Sequence, residues 1–493
     1  MLLPIVFRSP LAGDLLLALY LLVWLVLAAY GAHRLHLVKL YRRRDPLVTP
    51  PTQTGDWPRV TVQLPVFNEA YVVERLLDAA ARLDYPRDRL EIQLLDDSVD
   101  DTTAIAAARI AAWRARGVDV VHLRRGDRHG FKAGALQHGL ERASGELLAI
   151  FDADFVPPPG FLRALVPYFQ DERVGMVQSR WEHLNEGYSL LARAQAISLD
   201  GHFVVEHTAR MVGGSYFNFN GTAGILRKAC IRDAGGWQSD TLTEDLDLSY
   251  RAQMKGWRFV FASHVACPSE LPVEMNAFKA QQHRWVKGSV QVARKLLPVL
   301  WRSAAPLAVK VEATFHLTYN VGYVALLLLS LIVYPVVLER YESRSLFFTV
   351  ADALLFLVAT ISTLLYFGVA QNDLRGGWKR KLHVLPFVMS LGIGLAVNNS
   401  RAVLGALFGS RGSFVRTPKF RIASPGDTWR RKRYRAPVSG WALLEIGLGV
   451  YFAWAMVSLA HAERFASIPF FLLYFCGFLY VGVLSLLHAS ARR

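Results

Sequence analysis

The sequence predicts an α/β domain with a mostly parallel sheet, inserted between transmembrane α-helices. Three observations lead there. Apolar runs long enough to cross a bilayer lie toward both ends of the chain. Between them, short apolar strands alternate with amphipathic helical segments, the pattern of a parallel sheet with helices on both faces. Basic residues gather beside the apolar runs, as in flanks retained in the cytosol.

Composition agrees. Hydrophobic residues make up 53% of the 493 positions. A formal net charge of +16 would by itself suit nucleic acid, anionic lipid or a phosphorylated substrate. Its clustering beside apolar segments favours membrane lipids and argues against nucleic acid as a partner. The three cysteines, Cys230, Cys267 and Cys476, are far apart and lack CxxC spacing. They argue against a disulfide framework or a zinc site.

Residues 1–44 hold a first helix and a basic flank. The apolar run at 11–32 can cross a core of about 30 Å. Only Arg8 precedes it, whereas HRLHLVKLYRRR (33–44) follows, the reverse of a cleaved signal peptide. The expected orientation is N-terminus outside, with residue 33 onward in the cytosol. Residues 45–57, rich in proline, read as a linker.

The domain expected at 58–300 opens with strands at 59–67, 90–97, 118–123 and 146–154. Helices are expected at 69–83, 102–117 and about 132–143, and an amphipathic interfacial helix at 274–297. The region 301–493 should carry helices at about 313–338, 346–369, 438–461 and 467–489. The segment 382–408 contains Pro386, Gly392, Gly394, Asn398, Asn399 and Arg401, with basic residues on both flanks. It is expected to lie along or dip into the inner interface. Five crossings result, with six as the alternative, and a basic loop spans 411–435. The expected setting is a bacterial inner or cell membrane.

Ligands of parallel sheets bind at the carboxyl ends of the strands, where the acidic pairs fall. Asp152 and Asp154 are one residue apart and can grip a divalent cation such as Mg2+ together with a diphosphate. An ordinary polar turn would look the same. Asp96 and Asp97 can accept hydrogen bonds from a base or ribose, or help cap the next helix. Lys132, at a helix start, can contact phosphate or simply be a solvated lysine. NFNGTAG (218–224) is a small-residue turn that lets a sugar approach backbone closely.

In TED (243–245), Thr243 can cap a helix whose first turn projects Asp245 into the site. A carboxylate there can act as general base toward a hydroxyl. Glu244 and Asp245 placed only to complement the helix dipole would look the same. In QQHRW (281–285), Trp285 offers a stacking face and Arg284 a fork for phosphate. An interfacial anchor would use the same residues.

In order, DDS (96–98), DAD (152–154), TED and QQHRW between transmembrane segments resemble the family 2 glycosyltransferases. The resemblance is to the processive membrane synthases of the cellulose-synthase superfamily. VQLPVFNE (62–69), QLLDDSVDDT (93–102), FNGTAG (219–224), QQHRW and FVRTPK (414–419) resemble the plant A-type cellulose-synthase-like mannan and glucomannan synthases most.

The resemblance implies a cytosolic GT-A domain, Rossmann-like, and an inverting transfer from a nucleotide-sugar donor to a glycan acceptor. Asp96 and Asp97 would bind the nucleoside, Lys132 and Asp152 the diphosphate, and Asp154 Mg2+ or Mn2+. Asp245 would be the base. Gln281 and Arg284 would contact donor phosphate and Trp285 the acceptor, with Asn220 and Gly221 beside it. FVRTPK matches a gating-loop pattern through Phe414, Thr417 and Lys419, which would close on the donor. Arg416 stands where the cellulose synthases have valine. No appended cyclic-dinucleotide-binding domain is expected.

Two rivals remain. A non-processive glycolipid transferase, such as one acting on ceramide, would share the aspartates and a Q-x-x-R-W-like motif. A transporter or scaffold with a regulatory nucleotide-sugar domain would need charges along a membrane path. Asp352, Glu445 and Arg401 are the few charges there. GDP-mannose, GDP-glucose and UDP-glucose share the parts these motifs contact, so the sugar is not legible.

Overall fold

The computed structural model describes residues 10–44, 51–343, 346–375, 382–409, 416–424, 426–430, 432–436 and 439–490. Part of the expected linker and of the 411–435 loop, Phe414 included, lies outside these residues, as does most of the basic stretch 374–381.

The first helix, α1 (Pro10–Arg42), runs unbroken through the basic flank. The domain then alternates β1 (Val60–Val66), α2 (Val73–Ala81), β2 (Leu90–Asp96), α3 (Thr102–Arg114), β3 (Val120–Arg124), α4 (Phe131–Arg142) and β4 (Leu147–Ile150). These elements match the expected ones to within a few residues. A short α5 (Phe161–Leu165) leads to β5 (Val174–His183). One long helical segment follows: α6 (Leu190–Asp200), a π-helical stretch at Gly201–His207, and α7 (Thr208–Val212). Then come β6 (Gly224–Arg227), α8 (Lys228–Asp233), α9 (Glu244–Met254), β7 (Arg258–Ser269) and α10 (Met275–Arg302).

The seven strands lie in the order β3-β2-β1-β4-β6-β5-β7. β1 pairs in parallel with both β2 and β4, whereas β6 is antiparallel to both its neighbours. The chain winds from β1 toward β3 and then returns to the other side of β1 for β4. The carboxyl ends of β1 and β4 therefore diverge, and a crevice opens between them. The buried strands read as near-continuous apolar runs because helices cover both faces.

The remaining helices are α11 (Leu307–Thr318), α12 (Val321–Ser343), α13 (Leu346–Arg375), α14 (Leu385–Gly394), α15 (Ala396–Leu407), α16 (Ala442–His461) and α17 (Ile468–Ser490). Among the described residues, five helices are long and apolar enough to cross a membrane. The span expected at 313–338 is corrected: the chain breaks at Tyr319–Asn320. Ala313 and Leu317 of α11 pack against Val292, Leu296 and Leu300 of α10, so α11 belongs to that face. The apolar span proper is Val321–Leu338 on α12, which packs against α1.

The segment 382–408 is a bent pair, with 46° between α14 and α15, and a sixth crossing arises only if the pair counts as one. Two of its polar side chains bond backbone carbonyls of neighbouring helices, the kind of pairing that tolerates irregular backbone away from water. Asn398 Nδ2 donates to the Lys279 carbonyl at 3.0 Å, and Ser400 Oγ donates to the Tyr323 carbonyl at 2.9 Å.

Candidate active site

The crevice between β1 and β4 widens into a cleft of about 1080 Å³, including its open mouth. Pro65 and Val66 at the end of β1, with Phe67 and Glu69 just past it, form one wall. Asp152, Ala153 and Asp154, just past the end of β4, form the floor. α9 brings Glu244 and Asp245, α10 brings Gln281, Arg284 and Trp285, and the 416–419 segment closes one side. Asp97, Lys132, Asn220, Gly221, Thr417 and Lys419 line the same cleft. Among the described residues, one site thus collects every expected site residue except Asp96.

Asp96 is not among the residues that line the cleft. It ends β2 and is 1% exposed. Its carboxylate accepts from Ser98 N at 2.8 Å, Thr103 Oγ1 at 2.8 Å and His122 Nε2 at 2.9 Å. Burial raises its pKa, but the bonds to His122, Ser98 and Thr103 outweigh burial and bring it down to about 2. With both oxygens engaged, Asp96 fixes the loop that carries its neighbour. Asp97 faces the cleft, held by Arg125 in a two-pronged ion pair with one contact at 2.9 Å.

Lys132 sits at the start of α4 after Gly130. Its ammonium donates to Asp152 Oδ1 at 2.5 Å and to the Gly221 carbonyl at 2.9 Å. Burial works against its charge, yet Asp152, Glu244 and Asp245 together hold its pKa above the usual lysine range. It is a fixed cation in the floor of the cleft. Arg284, on α10, is shifted down by burial and supported by Glu244 and Asp152.

Thr243 precedes α9 but caps nothing with its side chain. Leu246 N instead donates to the Asp245 carboxylate at 2.8 Å. Burial, then the neighbouring Glu244, pushes the Asp245 carboxyl up to about 7. Gly221 explains the close approach. It has φ +78°, and a Cβ there would lie 2.8 Å from Asp245 Oδ2.

Lys419 donates to Asp154 Oδ2 at 2.6 Å, and Phe420 N donates to Glu270 at 2.8 Å. Arg416 donates to the carbonyls of Phe67 and Asn68 and pairs with Glu69 at 3.3 Å. The segment is thereby pinned across the cleft. Among the described residues, no three His, Cys, Asp or Glu side chains form a self-contained metal site. Asp152 and Asp154 supply only hard carboxylate oxygens, the donor set that suits Mg2+ or Mn2+ when a substrate diphosphate completes the shell.

Sequence reasoning missed Glu69, Glu244, Arg128 and Trp181, all lining the cleft. Burial pushes Glu69 up to about 8 despite Arg416 and Lys419. Glu69 and Asp97 sit just past strand ends, and that position was the available signal for Glu69. Trp181 approaches Trp285 at 6.5 Å between ring centroids, which only the tertiary fold can arrange.

This sheet order, cleft and flanking helices define a GT-A-type α/β domain mounted on membrane helices. The family described as "Glycosyltransferase like family 2" matches residues 58–288, and the domain belongs to it. Glucomannan 4-beta-mannosyltransferase 1 of Oryza sativa subsp. japonica is 39% identical over 297 residues, covering 57% of this chain and 56% of that protein. Glucomannan 4-beta-mannosyltransferase 2 of Arabidopsis thaliana is 42% identical over 255 residues, covering 51% and 48%. The chain thus spans about half the length of these curated relatives. They are plant proteins and lend no support to the bacterial membrane expected from the sequence. Among solved structures, the mannosyltransferase PcManGT from Pyrobaculum calidifontis, in complex with GDP-Man and Mn2+, shares the fold. It has a TM-score of 0.52 and 21% identity, covering 79% of this chain and 100% of that one.

Proposed function

We propose that the chain is an inverting glycosyltransferase that extends a β-linked polysaccharide of mannan or glucomannan type from a nucleotide-diphosphate sugar. The observation that carries this reading is the Asp245 carboxylate, half-buried at the cleft with a raised pKa, beside Gly221 and across from Lys132 and Asp152. A base needs a pKa near the working pH and access to the proton it removes.

In this reading an acceptor hydroxyl gives its proton to Asp245 while its oxygen attacks the anomeric carbon. The bond to the diphosphate breaks on the opposite face, so an α-linked donor yields a β-linkage. Lys132 and Arg284 stabilise the charge that develops on the leaving diphosphate. Asp97 and Arg128 line the end of the cleft suited to the nucleoside. Trp285, with Trp181 behind it, offers the acceptor sugar a stacking face, and Asn220 offers it hydrogen bonds. Asp152 and Asp154 would hold Mg2+ or Mn2+ against the donor phosphates, and such an ion supplies charge neutralisation there. The domain would face the cytosol, with membrane lipids around the apolar helices, and those helices would carry the growing chain outward.

The relatives' names favour a mannosyl donor among GDP-mannose, GDP-glucose and UDP-glucose. Membranes containing the protein should convert GDP-mannose to long, mannanase-sensitive product. Asp245→Asn should retain donor binding while transfer falls at least about a hundredfold. Transfer by Asp245→Asn at the native rate would sink the assignment. Short lipid-linked product would favour the glycolipid reading instead.

A further inference from the structure

A second set of charged side chains lies behind the acceptor side of the cleft, and the transfer mechanism does not use it. It starts from the side chains that hold Asn220. The Asn220 side-chain oxygen accepts from His202 Nε2 at 3.0 Å and from Asn218 Nδ2 at 3.0 Å, and its Nδ2 donates to His207 Nε2 at 2.5 Å.

His202 and His207 are i and i+5 within the π-helical stretch, with ring centroids 4.5 Å apart. In an α-helix these positions would point about 140° apart. The wider turn sets both rings on one amide, and such turns recur at functional sites.

From His202 the set runs toward the membrane helices. His202 Nδ1 lies 3.1 Å from Glu206 Oε2, so its two ring nitrogens reach oxygens on opposite sides, Glu206 and Asn220. Glu206 also accepts from Arg210 at 3.1 Å and from Tyr366 of α13 at 2.9 Å. Arg210 donates to Glu312 of α11 at 3.0 Å, and Glu312 meets His33 of α1 at 2.7 Å. Burial disfavours the Glu206 charge, but Arg210 and His202 outweigh it and hold its pKa well below the carboxylate range. Such a set is costly unless fully paired, which makes it rigid when it is.

We infer that Glu206 is a positioning residue for the acceptor loop 217–223: through His202 it orients the Asn220 amide, and through Arg210 and Tyr366 it ties that orientation to the seating of α1, α11 and α13. The inference rests on the transferase reading for its kinetic consequence but not for its structural one.

Two readouts test it on the full-length protein in detergent or nanodiscs. Glu206→Gln keeps the shape and removes the charge. Its acceptor KM should rise roughly ten- to a hundredfold while affinity for GDP stays within about twofold. Glu206→Asp, which keeps the charge, should recover part of that loss. Amide exchange over 217–223 should speed up in Glu206→Gln, with β1 and β2 unchanged. Unchanged acceptor KM and unchanged loop exchange would overturn the inference. So would exchange that rises equally across β1 and β2, because that marks a merely structural role. A wild-type protein that transfers no sugar would defeat the transferase reading, and the exchange comparison would still decide the role of Glu206.

Discussion

Asp96 and Asp97 show how far residue-scale reasoning reaches. Adjacent in sequence, they have different surroundings: Asp96 closes β2 with both carboxylate oxygens engaged, and Asp97 lies just past the strand in the cleft lining. One locks a loop and the other lines the cleft. No motif separates them, since the motif contains both. Asp245 carries a consequence for pH. Its folded pKa of about 7 lies above the unfolded value, so the folded state holds its proton through the weakly acidic range. That contribution to stability is complete below the unfolded pKa and is lost as pH rises through about 7. Glu69 adds to the same trend up to about 8. Activity should move the opposite way, because only ionised Asp245 accepts a proton. Transfer at saturating donor is therefore expected to climb through about pH 7, while the thermal midpoint declines across the same interval. A rate that is flat from pH 6 to 8 would contradict the assigned base.

At the scale of elements, α10 is the decisive piece. Its periodicity and its QQHRW motif were legible. Its seating was not, because that depends on contacts remote in sequence. At Gly288 a Cβ would fall 2.5 Å from Thr243 Cγ2 and 2.9 Å from Thr243 N. The helix can thus approach the TED segment only with glycine there. Gly288→Ala should push Thr243 and Asp245 out of register. Overpacking of this kind costs about 1–3 kcal/mol in stability. Transfer should fall roughly tenfold or more, and measured GDP affinity should change far less. The break at Tyr319–Asn320 is the converse case. The apolar composition runs on through it, so sequence reads one long span, but packing of α11 on α10 ends the helix early.

Across the whole molecule, the domain and membrane helices are joined by buried charge. Lys279, two residues before Gln281, donates to both oxygens of Glu445 of α16 at 2.7 and 2.8 Å. Their side chains are 4% and 0% exposed. Glu445, one of the few charges in the apolar regions, is the buried partner that anchors the QQHRW helix. Removing one partner leaves the other buried and unpaired. Lys279→Met alone should destabilise by about 3–5 kcal/mol, whereas Lys279→Met with Glu445→Leu should lose much less. Thermal unfolding of the purified single and double variants measures the difference. Equal losses would show that the pair is not coupled.

By itself the sequence determined the alternation that makes the sheet, the apolar spans on either side of it, and most of the residues in the cleft. Those features are local: periodicity, length, charge asymmetry and short motifs at strand ends. Only the tertiary structure decided which of two neighbouring aspartates faces the cleft, where the apolar stretch breaks, and how Glu69, Trp181 and Glu206 join the site. These depend on side chains from distant segments meeting in a low-dielectric interior, where burial and pairing set both position and charge state.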